Sequence, residues 1–196
     1  MTNAQCPMPN AQCTIKHHMS KIYQIKISLK RISPAIWRRI EVSADMNLKA
    51  LSHVILRAMG WHGGHLMSFE IGREEYQLDQ ESVRELGGVL MSKARLDKCL
   101  RILKQKGVFT YDFGDDWEHD VLLEKILDPE PGVTYPRCTA GKRNCPPEDC
   151  GGHWGYADIL EALKDPDNPE HEELLDWVGG EFDPEAFEVE AVNGRI

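Results

Sequence analysis

Apolar and polar residues alternate without a break from Tyr23 to Lys30. Tyr23, Ile25, Ile27 and Leu29 fall on one side and Gln24, Lys26, Ser28 and Lys30 on the other. This period of two predicts a half-buried β-strand. Ser33-Pro34 breaks it, and Ile36 to Val42 predicts a second strand paired with the first across the turn. The period then becomes helical at Leu48, Leu51, Ile55, Ala58 and Met59, with Asn47 positioned to cap the start and Gly60 the end. Phe69 and Ile71 suggest a further strand, whereas Gly72 to Leu90 is polar and shows no clear period. Leu96, Leu100 and Leu103 predict a short helix in which Cys99 is a small core residue. Val108 to Phe113, with Phe109, Tyr111 and Phe113 on one face, turns through Gly114-Asp115-Asp116 and returns as Trp117 to Ile126, the clearest hairpin in the chain. Tyr156, Ile159, Leu160 and Leu163 predict a helix ended by Pro166. Asn168-Pro169 opens another that carries Leu174, Leu175 and Val178 to Gly179, and Asp183-Pro184 marks a third, shorter start. Strands mostly precede helices without regular βαβ alternation. The expected class is therefore α+β: a mostly antiparallel or mixed sheet packed by helices, with a cysteine-containing loop and a helical C-terminal part.

Composition bounds this picture. A chain of 196 residues fits one domain, here expected over residues 19–196. The first eighteen residues carry a small tandem repeat, Asn3-Ala4-Gln5-Cys6 and Asn10-Ala11-Gln12-Cys13, with no hydrophobic period, and Met19 directly precedes the first strand. They read as a disordered arm or an addition from an upstream start. Cys6, Cys13, His17 and His18 would then bind metal only adventitiously. No apolar run approaches the roughly 18 residues of a membrane span, and the first residues lack a secretory pattern. The expectation is a cytoplasmic protein with reduced thiols.

Charge is unevenly spread. Residues 1–60 hold nine basic and two acidic residues, and the remaining 136 hold fourteen and thirty. A basic stripe of Lys26, Lys30, Arg31, Arg38 and Arg39 could face nucleic-acid phosphates, but the acidic remainder would repel a duplex. The stripe is better explained as a solvated sheet face meeting the chain's own acidic C-terminal part.

Three cysteines fall within the Pro- and Gly-rich run Tyr135 to Gly152: Cys138, Cys145 and Cys150. In a reducing compartment such thiols point to a metal more than to a disulfide. Zinc takes four borderline or soft ligands in a tetrahedron, and the fourth is expected to be His119, on the hairpin that leads into the run; His153 is the nearest competitor. The expected site, His119, Cys138, Cys145 and Cys150, is a closed structural zinc rather than a catalytic one. The competing reading is of packed thiols with turn residues holding the loop.

Several separated motifs together resemble the plasmid pRiA4b ORF-3-like family. They are Tyr23 to Glu41, Ala58-Met59-Gly60-Trp61 with His65-Leu66, Tyr111 to His119, Tyr135 to Gly152, and Gly179 to Phe187. The resemblance runs from Tyr23 almost to the end. It implies a compact α+β domain found in bacteria and archaea and sometimes encoded near plasmid or transposon genes. Family members often carry a second histidine two residues after the one matching His65; Met67 stands there in this chain, so the resemblance does not extend to a two-histidine site.

Two further constellations carry candidate chemistry. Asp112, Asp115, Asp116, Glu118, His119 and Asp120 could serve acid–base or cation chemistry, a metal-dependent hydrolase using Asp112, Asp115 and His119 being the enzyme alternative. Hairpin-turn chemistry, with Asp112 and His119 bonded across the strands, explains the same residues. His62, Gly63, Gly64 and His65 after the first helix read as a helix C-cap more than a pocket lining, and Trp37 and Trp61 as packing anchors. No phosphate loop, nucleophile elbow or dinucleotide fingerprint is present, so no catalytic residue is assigned. The expected function is a non-enzymatic accessory domain acting through a protein partner, whose face is supplied by the acidic helices from Tyr156 onward; a DNA-associated role is a further alternative.

Overall fold

The computed structural model describes residues 20–196. The tandem repeat and Cys6, Cys13, His17 and His18 lie outside the described residues. The chain runs β1 (Ile22–Leu29), β2 (Trp37–Ser43), α1 (Leu48–Met59), β3 (Met67–Ile71), β4 (Glu74–Gln77), α2 (Gln80–Leu86), β5 (Val89–Leu90), α3 (Leu96–Cys99), β6 (Lys106–Tyr111), β7 (Trp117–Leu127), β8 (Arg137–Lys142), α4 (Gly152–Lys164), α5 (His171–Trp177) and α6 (Val189–Asn193). The strands form one sheet in the order β5-β4-β3-β6-β7-β1-β2-β8. Every pairing is antiparallel except β4 with β5. The fold is α+β, with a mixed sheet packed by helices and a helical C-terminal part.

Alternation decides which face of each strand is dry. Ile25, Ile27 and Leu29 of β1 are buried, while Lys26 and Ser28 stay partly in water. Residues directly opposite on antiparallel strands share a face. Phe69, Phe109, His119 and Leu29 therefore form one row across the inner side, and Met67, Tyr111 and Trp117 form the next. Helix α1 contributes Leu48, Leu51, Ile55, Leu56 and Met59 to the same core. Asn47 caps it by accepting from the Ala50 amide at 2.8 Å, and Gly60 ends it with φ +99°. The outer edge of β8 is closed by a side chain: Asn193 accepts from the Cys138 amide at 2.6 Å and donates to its carbonyl at 3.0 Å. One carboxamide thus takes the place of a further strand.

Gly72 to Leu90, which lacks a period, forms the short strand β4, helix α2 capped by Asp79, and the edge strand β5. Three local expectations are corrected. The short helix stops at Cys99, leaving Leu103 in water. Phe113 is not on the face of Phe109 and Tyr111: Asp112 adopts φ +56°, which ends β6 and turns Phe113 outward. Asp183-Pro184 begins no helix; Asp183 accepts from the Glu185 amide in a local turn, and the helix follows only at Val189.

The basic stripe is also redistributed. Arg39 meets Glu124 at 2.5 Å and 3.0 Å, Arg31 meets Asp116 and Glu118, and Lys30 meets Glu118. Its neutralising acids come from the hairpin and β7, not from the C-terminal helices. Arg38 faces the interior, with Phe187 stacked on its guanidinium at 4.7 Å.

Candidate metal centre

Three segments distant in sequence meet at one end of the sheet: the loop after α1 from Gly60 to Leu66, the turn from Asp112 to Asp116, and the stretch from Pro146 to Gly151 before α4. Trp61 is the hinge of this seam. Its ring stacks on Tyr111 at 5.5 Å, and its indole N–H donates to the Pro146 carbonyl at 2.8 Å. Glu148 is the clasp. One oxygen accepts from the Tyr111 hydroxyl at 2.6 Å, and the other accepts from the His62 amide at 2.8 Å and lies as close to the His62 ring. Burial opposes ionisation here, yet the bonds from Tyr111, His62 and Gly63 hold the Glu148 carboxyl below its ordinary value. The start of α4 packs so closely on the turn that a Cβ at Gly152, φ +67°, would sit 2.4 Å from the Asp115 carbonyl oxygen. Asp115 also accepts from the Gly151 amide.

On this frame stand His65, Asp112 and Asp149, whose ligand atoms lie within 4.8 Å of one another. His65 Nε2 is 2.9 Å from Asp149 Oδ1, and Nδ1 is 3.5 Å from Asp112 Oδ2. The turn aims Asp112: Oδ1 accepts from the Gly114 amide, which leaves Oδ2 free for the imidazole. Asp112 and Asp149 both adopt left-handed backbone, at φ +56° and +60°. Aspartate tolerates that region better than most residues, and such positions concentrate where side chains must be aimed. His65 is 39% exposed and meets Tyr111 edge-on. An imidazole and two carboxylates suit a borderline divalent ion, and three protein donors leave coordination positions open to water or another ligand.

The residues anticipated for a zinc cage are treated differently. Cys138 is on β8 rather than in a loop, and its thiol donates to the Ala140 carbonyl at 3.4 Å. Cys145 is enclosed by the Arg38 guanidinium at 3.1 Å and Met59 Sδ at 3.2 Å. Cys150 turns toward the Gly152 carbonyl. Burial pushes Cys145 up to about 11 and Cys150 up to about 12. Among the described residues the cysteines are free thiols, and His65, Asp112 and Asp149 are the group whose donors converge on a common point. His119 and the three thiols are not gathered in that way. His119 points into the core because its register places it between Phe109 and Leu29; Nδ1 lies 3.2 Å from the Phe109 carbonyl, and Nε2 has no partner among the described residues. Burial lowers its pKa from 6.5 to about 4. His153 stacks on Trp154 at 4.8 Å.

The hydrolytic set is likewise divided. Asp112 joins His65 at the rim, Asp115 braces α4, and His119 lies in the core with no bond to Asp112. The sequence shows His65 only as part of a helix ending and Asp112 only among the carboxylates of the hairpin turn, and it does not single out Asp149; the signal that joins them is that three of the motifs carrying the family resemblance hold His65, Asp112 and Asp149.

Beside Asp149 opens a cleft of about 570 Å³, lined by Ile159, Leu174 and Trp177 and by Glu170, Glu173 and Asp176. Among the described residues no helix is long and apolar enough to cross a membrane.

Comparison with known proteins agrees with the architecture. The profile of the plasmid pRiA4b ORF-3-like protein family matches residues 21–191. The uncharacterised protein y4hQ of Sinorhizobium fredii is 32% identical over 180 residues, which span 91% of this chain and 92% of that one. A crystal structure of a protein of unknown function from Methanosarcina mazei Go1 matches with a TM-score of 0.81 at 40% identity, covering 88% of this chain and 97% of that one.

Proposed function

The chain belongs to the plasmid pRiA4b ORF-3-like family, and we propose that it is a divalent-cation-binding accessory domain whose ion is held by His65, Asp112 and Asp149. The observation that carries this reading is the convergence of one imidazole and two carboxylates from three separate segments on a single point. Bound there, an ion would replace the His65–Asp149 contact and tie the α1 loop, the hairpin turn and the α4 entry together. Local loops would become one rigid surface for a protein partner, which is how a cation serves a domain without doing chemistry.

A second reading, metal-assisted hydrolysis, has one observation in its favour. Asp149 both belongs to the triad and lines the cleft, so a metal-bound water could face a molecule seated there. The DNA-associated alternative has less support, since Arg31 and Arg39 are engaged by acids and Arg38 is inside.

Calorimetric titration of chelator-treated protein with Mn²⁺ and Zn²⁺ tests the proposal. Stoichiometric binding should disappear in His65→Ala and in Asp149→Asn and persist in Cys145→Ala. At about a hundred times Kd, the ion should add about 2.7 kcal/mol of stability and raise Tm by several degrees. Binding that survives His65→Ala but is lost in Cys145→Ala would move the ion to the thiols and overturn the assignment.

A further inference from the structure

The outer face of the sheet carries a second feature, independent of the metal reading. A groove of about 410 Å³ runs over β3, β4 and β6 between Leu86 of α2 and Phe113 of the hairpin turn. Register builds its floor: Gln77 stands opposite Ser68, and Ser68 opposite Thr110, so the three rank side by side on the outer face. Gln77 is only 3% exposed, and its Oε1 has no hydrogen-bond partner among the described residues. Its Nε2 lies 3.5 Å from Glu75 Oε2; turning the amide over would set two oxygens against each other. A buried amide whose acceptor lacks a donor therefore lies beneath the groove floor, sealed from solvent by the side chains above it, and leaving such a group unmet is costly.

The surroundings specify what would meet it. Glu70 and Glu75 line the groove, and among the described residues neither makes an ion pair, whereas Glu118 is already matched by Lys30 and Arg31. Leu86 and Phe113 are 59% and 45% exposed, large apolar side chains at opposite walls. The same φ +56° at Asp112 that frees its carboxylate for His65 sends Phe113 to this side. A free amine would satisfy Gln77 and the glutamates but leave Leu86 and Phe113 uncovered. An apolar ligand would cover those two and leave Gln77 unmet.

We propose that this groove docks a lysine- or arginine-bearing segment of a partner protein. The cation pairs with the Glu70 and Glu75 carboxylates, Glu75 turning off the Gln77 amide to meet it and so uncovering Oε1 for its donor, and apolar neighbours in the segment cover Leu86 and Phe113.

The test is a nuclear magnetic resonance titration of the isotope-labelled full chain. The probes are an acetylated peptide alternating leucine and lysine, its leucine–glutamate counterpart, and lysine amide alone. The lysine peptide should shift the Gln77 side-chain amide together with the Ser68 and Thr110 amides. The Glu70→Gln/Glu75→Gln double variant should bind it about tenfold more weakly or worse. Phe113→Ala should also weaken it, with the remaining resonances unmoved as the check on folding. Equal affinity in the double variant, equal shifts from the glutamate peptide, or no groove shifts at millimolar peptide would overturn the proposal. So would lysine amide matching the peptide, since the site would then be one for small amines.

Discussion

Two sets of potential metal ligands, one dispersed through the core and one gathered at the rim, differ in water more than in chemistry. His119, Cys145 and Cys150 are soft or borderline donors, the better zinc ligands on paper, yet each is buried and already occupied by a carbonyl, a guanidinium or a thioether. His65, Asp112 and Asp149 are individually less distinctive, but they reach solvent and point at one another. Burial penalises the thiolate and imidazolium forms, and packing fixes each side chain on its own partner. Ligand-type residues can form a site only where their donors converge within reach of one ion. In this protein the rim donors meet that geometric condition, and the thiols are packed on partners of their own.

The largest way to break this contrast is at Arg38. Its guanidinium holds the Ala58, Trp37 and Lys142 carbonyls together with the Cys145 thiol. Arg38→Ala should lower unfolding free energy by about 3 kcal/mol or more in urea denaturation, because several buried acceptors lose their donor at once. It should also open Cys145 to alkylation by iodoacetamide, whereas the buried thiol of the native protein should react slowly. Free alkylation of Cys145 itself in the native protein, located by peptide mapping, would mean that its surroundings are not dry.

Next comes His119. Its pKa falls from 6.5 to about 4 in the folded protein, so between those values the unfolded chain binds the extra proton. Stability from keeping the ring neutral is therefore fully present above pH 6.5 and is lost as pH drops toward 4, by about 3 kcal/mol for this fully buried group. His119→Phe should flatten that part of the stability-versus-pH curve, measured by denaturation at a series of pH values. An unchanged slope would show that His119 is not the group responsible.

The smallest effect should be at the rim. Without metal, His65→Ala and Asp149→Asn should each change stability by less than about 1 kcal/mol, because exposed ion pairs contribute little. Thermal unfolding after chelation checks this. A larger loss would make His65 a structural residue of the seam rather than an available ligand.

The hairpin shows where sequence reading was sufficient and where it was not. Alternation from Trp117 to Leu123 located β7, and it also implied that His119 shares the buried face with Trp117 and Val121. Nearness in sequence to the cysteines, the ground for expecting His119 as a ligand, carries no information about which face of the strand the ring takes. The turn at Asp112 was legible as a turn but not as a change of face for Phe113, since a single left-handed residue leaves no period in the sequence. Helix α1 was readable to both caps because its stripe and its terminating residues lie within a few positions of each other.

By itself the sequence determined the α+β class, the first strands, the long hairpin and α1, all of which follow from periods of two or 3.6 in neighbouring residues. Tertiary structure alone decided which donors meet. His65, Asp112 and Asp149 belong to three segments that no local pattern connects. They converge because the sheet order sets β6, which leads into the Asp112 turn, beside β3, which follows the His65 loop, and because Trp61 and Glu148 fasten the remaining loops across the sheet's end. Local backbone and side-chain preferences act over a few residues, whereas a site of this kind is assembled by packing across the whole chain.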